Sequence, residues 1–214
     1  MDINFNLIKD EILQRAKEAR ACAEQYARAY KAETMQDLCN VIKDNFDWAH
    51  RNKVIDTALL MLYRDDFAKN GIFVNTSVSK GYLLCDNATV EAWDNATVKA
   101  WGNATVKAWG NATVEAYGNA TVKAWVNATV EAWDNATVKA CDNAMVEAYG
   151  NAMVEAWDNA TVEAWDNATV KAWDNAYVSS YAIVECKLSG NAIYRIRRDN
   201  IIRFASDSLK FEKI

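Results

Sequence analysis

Trp93, Trp101, Trp109, Tyr117, Trp125, Trp133, Tyr149, Trp157, Trp165 and Trp173 are the side chains best suited to chemistry, because they recur every eighth residue with a single break at Cys141. A row of planar rings offers stacking faces to a sugar polymer, to unstacked bases or to a protein partner. The same spacing lets the rings stack on one another and cover the bends of a repeated strand. Aromatic ladders commonly stabilise repeated strands, which favours self-stacking over a recognition strip.

Carboxylates are the next candidates. Asp142, Asp158 and Asp174 lie sixteen residues apart, so a coil of two octads would place them in one column about 4.8 Å apart. Such neighbours repel and must bind a cation, share protons or splay into water. The glycine-rich spacing of calcium-binding β-rolls is missing, so splaying into water is expected and no metal site is predicted. In the same coil one face would carry four Lys and two Glu, and the other four Glu, one Lys and Ser179. This partial segregation could orient a dimer, but such charges more often form a solvated face.

Catalytic chemistry finds little support. His50 is the one histidine and lies outside the repeats. No Ser-His-Asp set, phosphate-cradling glycine loop or metal-ligand spacing is visible. Solenoid acyltransferases use hexapeptide turns and a histidine, and pectin-cleaving β-helices need irregular loops; the loops here are two residues long. No enzyme activity and no cofactor are expected.

All these side chains are set out by one element, twelve uninterrupted octads over residues 86–181, beginning DNATVEAW and DNATVKAW. Ala88, Val90 and Ala92 alternate with Thr89, Glu91 and Trp93, the period-two signature of a strand. The Ala-Val-Ala slots are nearly invariant along the array and must face a packed interior. The other parity exchanges Glu for Lys and faces water. The Asp-Asn or Gly-Asn pair marks the corner. Its first position accepts even Val126, and a β-branched residue resists positive φ, so any left-handed conformation is assigned to Asn. Stacked Asn side chains should form an amide ladder.

One octad cannot close a circuit, since six extended residues already run roughly 20 Å. Closure takes two octads in a flat coil or three in a triangular one. Small inner residues favour two closely spaced sheets. The predicted fold is therefore mainly β, a parallel β-solenoid with two octads per coil and three per coil as the alternative.

Residues 1–71 read as a helical region. Leu7, Ile8, Ile12 and Leu13 share an apolar face, continued by Ala16, Ala19 and the Ala-rich EARACAEQYARAYKAE. Thr34 with Asp37 resembles a capping box before Leu38, Val41, Ile42 and Phe46; Asp56 opens a further helix and Gly71 closes the last. Three or four helices fit, placed as a cap over the open end of the first coil. Residues 72–85 form a strand-like transition coil, out of register with the octads. Residues 182–214 read as degenerate terminal coils: AIVECKLS, GNAIYRIR, RDNIIRFA and SDSLKFEKI.

Residues 71–181 hold 13 acids and 6 bases, residues 182–214 hold 4 and 7, and the net charge is −5, so no basic stripe calls for nucleic acid. The five cysteines lack a CxxC pair, which excludes zinc-ribbon and thioredoxin readings and leaves free buried thiols in a reducing compartment. No apolar leader or membrane-length segment is evident, and a cytoplasmic location is expected. Nine Asn-Ala-Thr sequons are a by-product of the octad, since each Asn sits in a tight corner.

The helical lead, EARACAEQYARAYKAETMQDLCNVIKDNFDW, followed by Asn-Ala-Thr-Val-x-Ala-Trp octads resembles uncharacterised proteins of gut bacteria and their phages. That resemblance brings no catalytic residues; if the chain is phage-encoded, the compartment would be the host cytoplasm. The expected function is a scaffold presenting a repetitive face to a protein partner, a second copy included. Alternatives are a phage or mobile-element inhibitor that occupies or imitates a host target, and ice- or carbohydrate-surface binding through the Thr and Trp rows.

Overall fold

The computed structural model describes residues 3–205. The described residues form two compact units, 3–76 with 81–84, and 77–80 with 85–205. No helix among the described residues is long and apolar enough to cross a membrane.

The first unit has six helices rather than three or four: α1 (Ile3–Glu18), α2 (Ala23–Lys31), α3 (Met35–Asp44), α4 (Phe46–Arg51), α5 (Thr57–Leu62) and α6 (Arg64–Lys69). The Ala-rich run is not one helix, because Arg20 takes φ 57° and stops it. The Arg20 N–H donates to the Lys17 carbonyl at 3.1 Å and the Ala21 N–H to that of Ala16 at 2.9 Å, the paired bonds of a Schellman end. The break turns α2 back so that Ala29 joins Ile8, Ile12, Leu38, Ile42 and Phe46 in the core. Leu7, expected on the inner face, is 52 % exposed; Ile8 and Ile12 occupy the buried stripe one position on.

The expected caps are present. Thr34 and Asp37 form the capping box, and Asp56 Oδ1 accepts from the Leu59 N–H at 2.8 Å. Gly71 follows α6 with φ 78°. Strand β1 (Ile72–Val74) pairs in parallel with residues 82–84 of β2 (Val78–Asp86) and packs into the helical core through Ile72, Val74 and Leu84.

In the second unit every octad makes one side of a flat coil. Strand β3 (Thr89–Trp101) runs along both sides of the first coil. One side continues through β4 (Thr105–Ala108), β6 (Thr121–Ala124), β8 (Thr137–Ala140), β10 (Met153–Ala156), β12 (Thr169–Ala172) and β14 (Glu185–Leu188). The other continues through β5 (Thr113–Ala116), β7 (Thr129–Ala132), β9 (Met145–Ala148), β11 (Thr161–Ala164), β13 (Tyr177–Ser180) and β15 (Ile193–Ile196). Each strand pairs in parallel with the one sixteen residues away, Val154 with Val138 and with Val170 for example. Seven coils result, spanning about 29 Å from first to last. The two-octad coil is therefore the right one, and the triangular alternative is excluded.

The parity assignment holds. From Val90 to Ala176 no Ala or Val of the inner slots is more than 2 % exposed. The seventh coil replaces small inner residues by larger ones, as expected: Tyr194 sits in register with Val178. Its buried hydroxyl lies 2.7 Å from Ser180 Oγ and accepts from the Val184 N–H at 2.9 Å. The segment RDNIIRFA does not add an eighth parallel coil. Its strand β16 (Ile201–Phe204) turns back and pairs antiparallel with β15, which closes that sheet edge with one strand. SDSLKFEKI lies outside the described residues.

The corner conformation differs from expectation. The left-handed residue is the first of the pair in most corners, including Asp94, Gly110, Val126, Asp142 and Asp158, with Asn87 in the first octad and Asn200 after the seventh coil as the exceptions. The following Asn is engaged through its own N–H, which donates to the preceding coil, Asn111 to the Asp94 carbonyl at 2.8 Å and Asn127 to that of Gly110 at 3.0 Å. The turn then closes when Ala112 N–H meets the Trp109 carbonyl at 3.4 Å. Sixteen-residue register imposes one backbone path on every corner, and Val126 follows it at φ 65° despite its branched side chain. Left-handed backbone costs an L-residue about 1–2 kcal/mol. Val126→Gly is therefore expected to gain about 1 kcal/mol in urea unfolding and Val126→Ala much less, because alanine keeps the Cβ that disfavours this conformation.

Candidate functional site

The register assembles the ten predicted aromatics into two columns, one beside each sheet. In the first, Trp93, Trp109 and Trp125 stack with centroids 6.0 and 5.1 Å apart, and Trp157 stacks on Trp173 at 5.0 Å. In the second, Trp101–Tyr117 and Trp133–Tyr149 are close pairs at 4.1 Å, with 6.3 and 6.2 Å steps from Tyr117 to Trp133 and from Tyr149 to Trp165. All these planes lie within 12° of parallel. Self-stacking is thus real, and it leaves most rings half-buried with an edge in solvent. Tyr117 is the exception at 7 % exposure, covered by its neighbours and bound through its hydroxyl. Tyr181 stands exposed instead of extending the second column. Arg197 of the seventh coil ends that column, with its guanidinium 5.2 Å from the Trp165 ring centroid.

The aspartates do not splay freely into water. Asp142 Oδ2 accepts from the Val126 N–H at 3.0 Å, and Asp158 and Asp174 accept from the Asp142 and Asp158 N–H groups at 3.3 Å. The other corner repeats this, with Asp134 on Gly118 and Asp166 on Gly150. Each carboxylate thereby satisfies a backbone donor one coil earlier, which offsets the repulsion along the column. The expected Asn ladder is present, Asn191 donating to Asn175 at 3.3 Å and Asn151 to Asn135 at 3.4 Å.

Charges on the two faces separate as the two-octad coil requires, but they are not all solvated. Lys99 is only 2 % exposed and pairs with Glu115, whose carboxylate also accepts from the Tyr117 hydroxyl at 2.6 Å. Glu115, Glu131, Glu147 and Glu163 follow one another at one-coil spacing, with Lys99 at one end and Arg197 on Glu163 at 2.5 Å at the other. Residues sixteen apart already spell this row in the sequence, but not that Lys99 is buried at one end or that Arg197 closes the other. Tyr149 donates to Glu147, and burial followed by that carboxylate holds its phenol above the ordinary range. On the opposite face Lys139 bridges to Glu155 at 2.9 Å and Lys107 to Glu91 at 3.1 Å.

Within the glutamate row, Glu131 has its carboxyl held above the usual range, by burial first and then by Glu115 and Glu147. The Trp133 indole N–H lies against it and acts weakly in the other direction, outside good hydrogen-bond geometry. The folded chain therefore holds this proton more tightly than the unfolded chain. Its contribution to stability is most favourable below the ordinary glutamate range and declines as pH rises through the raised value. Glu131→Gln should remove that decline: between about pH 4 and pH 7, the urea midpoint of the wild type should fall relative to the variant.

All five cysteines are free. Cys39 and Cys85 are buried, and burial pushes their thiols up to about 12 and about 11; Cys22, by contrast with the expected buried thiols, is exposed. Cys141 occupies the break in the first aromatic column. Its thiol is held above the ordinary range by burial, then by Asp158 and Asp142. His50 lies in α4 of the helical unit. No group of His, Cys, Asp and Glu among the described residues has the arrangement to hold a metal ion. In comparisons with known proteins, no family model, no curated protein and no solved structure matches the chain.

Proposed function

We propose that the protein is a non-catalytic β-solenoid scaffold that presents its repeated outer surface to a protein partner, a second copy of itself included. The observation that carries this reading is the pair of half-buried aromatic columns. Their rings are held parallel by the coils, and most of them remain partly exposed. A binding surface whose side chains are already ordered loses little entropy on association, and aromatic rings are the side chains most often found as interface anchors. The mainly Glu row on one face and the mainly Lys row on the other supply charges that favour one orientation of a partner.

Light scattering across a concentration series tests the reading with the chain alone. The expected result is a particle of at least twice the 24.0 kDa chain mass, reduced toward one chain mass when Trp109 and Trp173 are replaced by Ser. A chain that stays monomeric at every concentration and captures no partner sinks it.

A further inference from the structure

The outer charge rows contain two runs of like charge, one on each face of the solenoid. On one sheet Lys107, Lys123 and Lys139 are register neighbours; on the other, Glu115, Glu131 and Glu147 are. Neighbours in a run lie about 4.8 Å apart, where like charges repel. The outer members find relief within the chain: Lys107 from Glu91, Lys139 from Glu155 and Glu115 from Lys99. Glu147 accepts from the Tyr149 hydroxyl. The middle members have no such partner. Among the described residues neither Lys123 nor Glu131 makes an ion pair. Repulsion from Glu115 and Glu147 adds to burial in holding the Glu131 carboxyl above its usual range.

The two runs stand level with each other. Lys123 and Glu131 lie in successive octads, the two sides of one coil, as do Lys107 with Glu115 and Lys139 with Glu147. A second copy in the same orientation, its Glu face laid on this Lys face, therefore meets opposite charges at three successive levels. The outer slots two residues before these charges are Thr in every case but Met145. Such short side chains let the faces approach to the roughly 10 Å of packed sheets. The match ends at the fifth coil, where Glu155 and Glu163 face the two sides. Glu155 is held between Lys139 and Lys171, and Glu163 by Arg197, so the chain's own cations offset that repulsion. The seventh coil, with Lys187 and Arg195, is also unmatched.

A face about 29 Å long and roughly 20 Å wide buries about 1,200 Å² over both partners, the low end for a specific contact. Charge matching then decides whether the contact holds. Because the matching faces lie on opposite sides of one chain, the contact is heterologous. Every added copy leaves one Lys face and one Glu face open, and growth does not close.

We infer that the chain stacks side by side on copies of itself, Lys face against Glu face, with Lys123 opposite Glu131 of the next copy. The inference rests on the scaffold reading above. It adds the partner, a second copy, and the surface, the charged faces in place of the aromatic columns.

Sedimentation velocity of the full-length chain over a concentration series is the test. The wild type is expected to exceed two chain masses without a plateau, and to fall back between about 0.05 and about 0.5 M salt. Lys123→Glu alone and Glu131→Lys alone should each weaken association at least roughly ten-fold. An equimolar mixture of the two variants should recover it, as should the double variant, since each restores opposite charges across the contact. Outer slots exchange Glu and Lys along the array, so the variants are expected to fold, which circular dichroism verifies. Association indifferent to salt or to either single variant, a loss that neither mixture nor double variant recovers, or growth that stops at two copies each overturns the stack. If association survives both single variants but is lost when Trp109 and Trp173 become Ser, the columns are the contact and the scaffold reading stands. A wild type that stays at one chain mass yet captures another protein also overturns the stack and leaves that reading. One that does neither sinks both.

Discussion

Replacing Glu115 by Leu is expected to cost about 3 kcal/mol of stability, more than any other single change in the charge rows. Lys99 is 2 % exposed, and the Glu115 carboxylate beside it also accepts the Tyr117 hydroxyl. Removing the carboxylate leaves an ammonium in a site where water reaches poorly and deprives a buried phenol of an acceptor. The attraction within such a pair roughly balances the desolvation of both members, so deleting both should cost far less than deleting one. Lys99→Met together with Glu115→Leu should recover most of the loss. A double-mutant cycle in urea measures this directly. If the double variant were as unstable as the sum of the singles, the pair would not be acting as a unit. Lys171→Met provides the contrast: its side chain is 47 % exposed and 3.8 Å from Glu155, and its loss should change stability by less than about 1 kcal/mol.

Ala124→Leu is expected to cost about 3 kcal/mol and to widen the unfolding transition, whereas Lys123→Leu, one residue away, should be close to neutral. Ala124 is fully buried between two sheets whose other inner residues are also Ala and Val. Its strand is bonded on both sides, to β4 and to β8, in a register that cannot shift by one residue without turning the inner face outward. A leucine there has no neighbouring cavity to enter, so the coil must open or the side chain must leave its rotamer well. Thermal and urea unfolding of the two variants give the comparison. A tolerated Ala124→Leu would mean that the sheets can separate, and the stiffness assumed for the scaffold would be lost.

The parts of the fold legible in the sequence are those set by repetition. Alternation at period two names the inner face at once, because an inner slot tolerates only what packs and an outer slot exchanges Glu for Lys. The small volume of Ala92, Val98 and their equivalents also favours two sheets over three, a choice the strand register then settles. The helical caps at Thr34 and Asp56 were legible for a local reason, since the capping side chain and its backbone donor lie three residues apart. The break at Arg20 was not, because Glu18, Ala19, Arg20 and Ala21 all favour helix. Only the apolar surface of α2, which must fold back to be buried, overrides that propensity.

The corners show the same division. An isolated Val-Asn pair argues for a left-handed Asn, and on local energetics the inference is sound. Within the stack the coils decide otherwise, because the corner Asn N–H donates to the coil before it, as Asn111 and Asn127 do, and the bend falls on the preceding residue whatever its type. The aspartates behave likewise: sixteen-residue spacing reveals the column, but not that each carboxylate finds a backbone donor one coil below.

By itself, then, the sequence determined the repeat length and the buried parity and favoured the two-sided coil, since these follow from periodicity and side-chain volume; the sixteen-residue register of the strands excluded the triangular coil and fixed the membership of each column. Tertiary structure alone decided which charge is buried, which corner residue strains and how deeply each ring is covered. Those depend on neighbours one coil away, and a side chain's surroundings in a stack are set by residues sixteen positions distant rather than by its own octad.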